Sequence, residues 1–187
     1  MLRCMTALLD LPEIRERVMR VSVADYHRYT EGQRTELLRG IVIEKMSRSP
    51  LHFAVAHRLS KLIASQLSSE LTMFQERPIT MEDSEPEPDI AVVAGKEELF
   101  LKCHPTTAEL IVEVAVSSRE IDRVKALIYA EAGVKEYWIV CPQEKQGEVY
   151  HKAGGQGYAE QTTFAAPGVI ECAALPGVRV DLGALFF

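Results

Sequence analysis

The stretch Glu109-Leu-Ile-Val-Glu-Val-Ala-Val116 constrains the fold of this chain more than any other segment. A continuous run of β-branched and aliphatic residues of this length reads as a central strand buried on both faces. With a side-chain period of two, Leu110, Val112, Val114 and Val116 share one face, and Glu109, Ile111, Glu113 and Ala115 share the other. Glu113 therefore sets a carboxylate in the middle of a buried strand. That is costly unless the group is paired with a Lys or Arg, bound to a metal, or placed at an edge facing water.

The elements around this strand follow from local signals. Ser22 with Asp25 three residues on resembles a capping box, which predicts a short helix over 23–31. Apolar runs on either side of Arg39-Gly40, within 36–46, predict a β-hairpin turning at Gly40. Ser49 as N-cap and Pro50 at the first helical position open an amphipathic helix over 50–69, with apolar residues at 51, 55, 59, 62, 63 and 67. Strands are expected at 71–75, 78–81 and 89–93, with the acidic, proline-containing stretch 82–88 as an exposed loop. Ser117 or Ser118 caps a helix over 119–132 that Gly133 ends, and a strand follows over 135–140. The glycine-rich remainder reads as short antiparallel strands and turns, with a last short helix over 182–186. The expected order is β-β-α-β-β-β-β-α-β-β-β, a mixed central sheet with helices against it. Residues 1–20 read as a loosely attached leader and 21–187 as a single domain.

Composition narrows the function classes. The chain has 187 residues, 47% apolar and 26% charged, as expected of a globular protein rather than a disordered one. No apolar run approaches the ~20 residues of a membrane helix, and the apolar start is broken by Asp10, so no membrane partner and a cytoplasmic location are expected. Cys4, Cys103, Cys141 and Cys172 are widely spaced and read as free thiols, Cys141 as a small core residue. The histidines show no ligand spacing, which disfavours zinc. Phosphate-loop, dinucleotide and nucleophile-elbow motifs are absent. The net charge of −6 is uneven: residues 1–61 carry eleven Lys and Arg against seven Asp and Glu, and the rest carries ten against twenty. The first third could face phosphates while the acidic remainder holds a cation; a mixed solvated surface explains the same numbers.

Two more residues join Glu113. Asp89 starts a strand whose connection could return it beside Glu113, and two nearby carboxylates repel unless a cation relieves them. A hard Mg²⁺ ion typically takes one or two carboxylates plus waters and substrate phosphate. On the following helix, Asp122, Lys125, Tyr129 and Ala132 fall on one stripe, so the Lys125 ammonium could reach the same place. Each has a bland alternative: Asp89 as a turn residue, Lys125 as a solvated surface lysine.

The order Pro88-Asp89 … Glu113-Val-Ala115 resembles the restriction-endonuclease-like superfamily with its Pro-Asp … Asp/Glu-x-Lys signature. From about residue 20 onward the chain is similar to one branch, the Uma-type restriction endonuclease family of bacteria. The residues that carry the resemblance are Glu36-Leu-Leu-Arg-Gly40, Ser49-Pro-x-His52, Pro88-Asp-Ile-Ala-Val-Val93 and Glu113-Val-x-x-Ser-Ser118, then Asp122-x-x-Lys125-x-x-x-Tyr129-x-x-x-Gly133-x-x-Glu136-Tyr-Trp138 and Leu175-Pro-Gly177. The resemblance implies an α/β (α+β) fold with a restriction-endonuclease-like mixed sheet flanked by helices.

It also implies a Mg²⁺-dependent (or Mn²⁺-dependent) endonuclease acting on DNA. Asp89 and Glu113 would be the metal ligands, with the Val114 carbonyl as a further donor. Ala115 stands where the superfamily lysine falls, so Lys125 becomes the matching lysine, positioning water or stabilising phosphate charge. Glu36 matches the additional acidic residue beside the metal; an exposed hairpin carboxylate is its alternative. His52 could contact a phosphate or be a partly buried polar residue. A homodimer or higher oligomer is expected, since cutting both strands needs two sites. Lys125→Ala is expected to leave fold and metal binding nearly intact while cutting activity sharply. The competing readings are a catalytically inactive nucleic-acid-binding or assembly module that keeps the fold, and a structural oligomerisation protein.

Overall fold

The computed structural model describes residues 18–186. The first seventeen residues of the expected leader and the final Phe187 lie outside the described residues. Ser22 caps the first helix, α1 (Val23–Thr30), its Oγ accepting from the Asp25 N–H at 3.2 Å. Strands β1 (Thr35–Leu38) and β2 (Ile41–Glu44) then form the expected hairpin. Its two turn residues, Arg39 (φ 54°) and Gly40 (φ 73°), both lie in the left-handed region that a tight hairpin turn requires.

The central sheet has six strands in the order β3-β4-β5-β6-β7-β8: β3 (Leu71–Gln75), β4 (Ile90–Ala94), β5 (Leu110–Val114), β6 (Glu136–Cys141), β7 (Gln146–Gly154) and β8 (Gly157–Ala165). Only β5 and β6 pair in parallel, because the helix α3 (Arg119–Glu131) carries the chain across the sheet between them. The opposite face is covered by helix α2 (Pro50–Ala64) and by the C-terminal segment, with strands β9 (Val169–Glu171) and β10 (Arg179–Asp181) and helix α4 (Leu182–Leu185).

Alternation along β5 divides the core as its sequence pattern requires. Leu110, Val112 and Val114 pack with Val55, Leu59 and Ile63 of α2 and with Trp138. Ile111 and Ala115 face the other way, among Ala126 and Tyr129 of α3. Glu113 belongs to this second face and so points at α3. Among the described residues, no helix is long and apolar enough to cross a membrane. Cys103, Cys141 and Cys172 are free thiols, and Cys141 is fully buried in the core.

Several boundaries differ from expectation for identifiable reasons. Helix α2 ends at Ala64 rather than near 69, because the Ser65 Oγ and the Gln66 Nε2 both donate to the Leu62 carbonyl at 2.8 Å. No strand forms over 78–81. Pro78 has no N–H, and the Ile79 and Thr80 amides bond to the carbonyls of Pro86 and Pro105 instead, each at 2.9 Å. The acidic stretch 82–88 is largely buried, not an exposed loop. Leu37 and Glu85 exchange backbone hydrogen bonds, and the Thr80 hydroxyl donates to the Glu85 carboxylate at 2.7 Å, so this segment ties the hairpin to the domain.

The C-terminal region contains one long hairpin, β7–β8, rather than only short strands. Glycine there is not a break: a Cβ on Gly147 would come within 2.6 Å of Ile170 Cδ1, so the glycine lets the C-terminal segment close on the sheet.

Glu148 on β7 shows how the sheet tolerates a fully buried carboxylate. Arg119 and Arg123 of α3 donate to it at 2.5–3.1 Å, and Tyr150 donates at 2.7 Å. Burial pushes its pKa up, but these donors overcome it and hold it down at about 2. Its stabilising contribution is therefore complete above the ordinary value of 4.5 and is lost as pH falls toward 2. Glu148→Gln should cost about 1–3 kcal/mol at neutral pH. In urea titrations of both proteins, the gap should narrow at pH values below the ordinary carboxylate range; a gap unchanged by pH would contradict the ion-pair account.

Candidate active site

Two adjacent strands set the site. The register pairs Ile90 with Val112, and one further step opposes Asp89 to Glu113 on the α3 side of the sheet. Both are buried. The Asp89 N–H points to Glu113 Oε2 at 3.3 Å, and the Val114 N–H donates to Asp89 Oδ2 at 2.7 Å. Val114 thus contributes its amide to Asp89.

Helix α3 supplies the cation. Lys125 Nζ lies 2.9 Å from Glu113 Oε1, 3.0 Å from Glu36 Oε2 and 3.6 Å from Asp122 Oδ1. It is only 5% exposed, which excludes the solvated-lysine alternative. Glu36 is equally enclosed, not an exposed hairpin carboxylate, and accepts from the Glu87 N–H at 2.9 Å. Tyr129, one turn beyond Lys125, donates its hydroxyl to Glu113 Oε1 at 3.1 Å. The stripe read from the sequence does face the strand carboxylate, because α3 crosses the same face of the sheet on which Glu113 emerges.

His52, in the first turn of α2, approaches Asp89 from the other side. Its Nε2 is 3.0 Å from Asp89 Oδ2, and its Nδ1 is buried without a partner. Arg48 Nη2 lies 3.4 Å from Asp89 Oδ1, and its other arm pairs with Glu76. Lys45 bonds Glu87 Oε2 at 2.7 Å and lies 3.8 Å from Glu36. Arg48, Lys45 and Glu87 were not legible as site residues. Their only sequence signal is two basic residues in the short linker before Ser49-Pro50. These groups line one cleft between the β2–α2 linker, the start of β4, the end of β5 and the first turns of α3.

The electrostatics are those of crowded carboxylates with too few cations. Burial pushes Glu113 up to about 8; Lys125 opposes this, while Asp122, Asp89 and Glu36 add to it. Asp122 is raised by burial and the same neighbours, despite Lys125 and a 2.6 Å bond from Ser118 Oγ. Asp89 moves the other way: burial opposes its charge, but His52, the Val114 amide and Arg48 outweigh burial and hold it ionised. Burial disfavours the Lys125 ammonium, yet Glu113, Glu36 and Asp122 raise its pKa, so it is a charge donor and not a base.

Among the described residues, no three His, Cys, Asp or Glu side chains converge as a ready cation cage. Asp89 and Glu113 stand opposite each other on neighbouring strands at the wall of a cleft. An all-oxygen set of this size suits a hard cation that keeps its waters, and not zinc.

The family described as "Uma2: Putative restriction endonuclease" matches residues 23–183. The chain belongs to the Uma2 family. No curated protein matches it. Among solved structures, the crystal structure of "a putative nuclease belonging to DUF820" from Anabaena variabilis ATCC 29413 is similar, with a TM-score of 0.74 at 16% sequence identity. The match covers 88% of this chain and 97% of that one. At that identity the likeness concerns the fold, and it agrees with the mixed sheet described above. The Uma2 match spans every residue that lines the cleft, from Glu36 to Lys125.

Proposed function

We infer that this Uma2 protein is a Mg²⁺-dependent endonuclease that hydrolyses phosphodiester bonds in DNA, with Mn²⁺ able to replace Mg²⁺. One observation carries the reading: Asp89 opposes Glu113 across two strands while Lys125 bridges Glu113 to Glu36. A chain that only needed a core could fill these positions with apolar residues and avoid burying three carboxylates and a lysine.

Asp89 and Glu113 hold the cation. Bound there, Mg²⁺ supplies Lewis-acid polarisation of a phosphate and a more acidic water. The remaining work falls to the chain. Lys125, protonated, offers its ammonium to the attacking water or to charge developing on the phosphate. Glu36 and Asp122 keep Lys125 charged and in place. Tyr129 fixes the orientation of Glu113, and His52 with the Val114 amide fixes Asp89.

The test is nicking of supercoiled DNA by the purified protein. Nicking that requires Mg²⁺ or Mn²⁺ and stops with EDTA supports the reading. Cation-saturated protein that binds DNA and never cuts it supports the inactive binding-module alternative instead. A homodimer or higher oligomer is expected, because cleavage of both strands in concert needs two sites related by a two-fold axis. Light scattering should give twice the mass of the chain or a higher multiple; a monomer mass at every concentration, with and without DNA, would remove this part of the proposal.

A further inference from the structure

The atoms of Asp89 are unequally committed. Its Oδ2 accepts from two donors, the Val114 N–H at 2.7 Å and His52 at 3.0 Å. A carboxylate oxygen has two lone-pair sites, so Oδ2 is spent. Any cation that Asp89 binds must come to Oδ1, and Arg48 Nη2 already lies 3.4 Å from that oxygen. A dication sits about 2 Å from its oxygen ligands. It would then lie against the guanidinium, where two positive charges repel strongly in a partly enclosed site. Oδ1 keeps a second lone-pair site, so Arg48 and the cation compete there through charge repulsion.

Arg48 is built to leave. It lies in the linker between β2 and α2, outside any helix or strand. Its second partner, Glu76, is half exposed at 53%. Arg48 lines the same cleft as Asp89, Glu113 and Lys125, where a phosphate would enter. A guanidinium is matched to phosphate oxygens in bidentate geometry, more so than to a single distant carboxylate oxygen.

We propose that Arg48 is a substrate-contacting residue with two positions: it neutralises Asp89 in the resting site, yields Oδ1 to the divalent cation, and carries its guanidinium to a phosphate of the bound DNA. The proposal rests on the cation reading given above. It assigns to one side chain both the charge balance of the metal-free site and part of the affinity of the loaded one.

The geometry demands effects of opposite sign. Arg48→Met, which keeps the aliphatic stem, should bind Mn²⁺ alone about tenfold more tightly in calorimetry without DNA, the scale of one charge-assisted hydrogen bond. The same variant should bind a short DNA duplex about tenfold more weakly in Ca²⁺, by fluorescence anisotropy, and the slope of log affinity against log salt should fall by about one. In EDTA, where Arg48 stays on Asp89, its duplex affinity should differ little from the parent. Arg48→Lys keeps the charge without the fork, and its duplex affinity in Ca²⁺ should fall between the two.

Unchanged or weaker Mn²⁺ binding by Arg48→Met would overturn the proposal, as would an equal loss of duplex affinity in EDTA and Ca²⁺. Asp89→Asn separates the two levels. If the parent binds Mn²⁺ and Asp89→Asn does not, the cation reading stands and only Arg48 is in question. If the parent binds no Mn²⁺, or Asp89→Asn binds it as tightly, the cation reading falls and the Arg48 proposal falls with it.

Discussion

Lys125→Ala should unfold far more easily than the parent protein as well as lose activity. The sequence alone suggests a mild structural effect, because a lysine on a helix normally reaches water. Here the ammonium is buried and sits within 3.6 Å of three carboxylates, Glu113, Glu36 and Asp122. Removing one partner of a buried ion cluster leaves the others uncompensated, which typically costs about 3–5 kcal/mol. Part of that is offset because Glu113, raised to about 8 by burial, is already mostly protonated at neutral pH and leaves less charge uncompensated. Chemical denaturation at neutral pH should therefore show a loss of several kcal/mol. A second substitution, Lys125→Ala with Glu36→Gln, should recover some of it by removing one repelling carboxylate. A single variant as stable as the parent would contradict the buried geometry. Where the variant remains folded, at low temperature, nicking should fall by about 10²–10³, the usual loss for one electrostatic donor at a phosphoryl site.

Asp89→Asn should do the reverse, leaving the fold and removing the chemistry. The amide oxygen of Asn can still accept from the Val114 N–H and from His52, so the strand end keeps its hydrogen bonds. What disappears is a carboxylate that His52, the Val114 amide and Arg48 hold below its ordinary pKa. A metal contributes several kcal/mol of transition-state stabilisation in such reactions, and each 1.36 kcal/mol is tenfold in rate. Nicking should fall by roughly 10³ or more, while stability falls by only about 1–3 kcal/mol, the scale of the charge lost from Arg48 and His52. Retained cleavage in a folded Asp89→Asn would place the chemistry elsewhere.

The core and the site were legible in the sequence to different depths. Glu113 announced itself because β5 is otherwise apolar, and a period of two decided which face it shares. Lys125 and Tyr129 could be placed on one stripe of α3 because helical spacing is local. That this stripe meets Glu113 depends on the β5-α3-β6 crossover, which the sequence order suggests but does not fix. The opposition of Asp89 to Glu113 is a matter of register between strands 24 residues apart in sequence. Arg48 and Lys45 were hidden for a different reason. Basic residues in a linker look solvated until the fold brings Asp89, Glu76 and Glu36 to them. The stretch 82–88 misled in the same way: its acidic, proline-containing composition reads as surface, yet its backbone fills the open edge of β1 through Leu37 and Glu85. Charged residues can be enclosed when each finds a partner, and partners distant in sequence leave no local pattern.

Asp89 and Glu113 are proposed to share one divalent cation in the cleft. The most direct test is a crystal of the protein soaked in Mn²⁺ and measured at the manganese absorption edge. One anomalous peak is expected between the two carboxylates, in coordination contact with Asp89 Oδ1 and Glu113, with Arg48 displaced from Asp89. The same soak of Asp89→Asn should show no peak there. No peak at that position in the parent crystal at saturating Mn²⁺, or a peak that survives in Asp89→Asn, would contradict the shared cation.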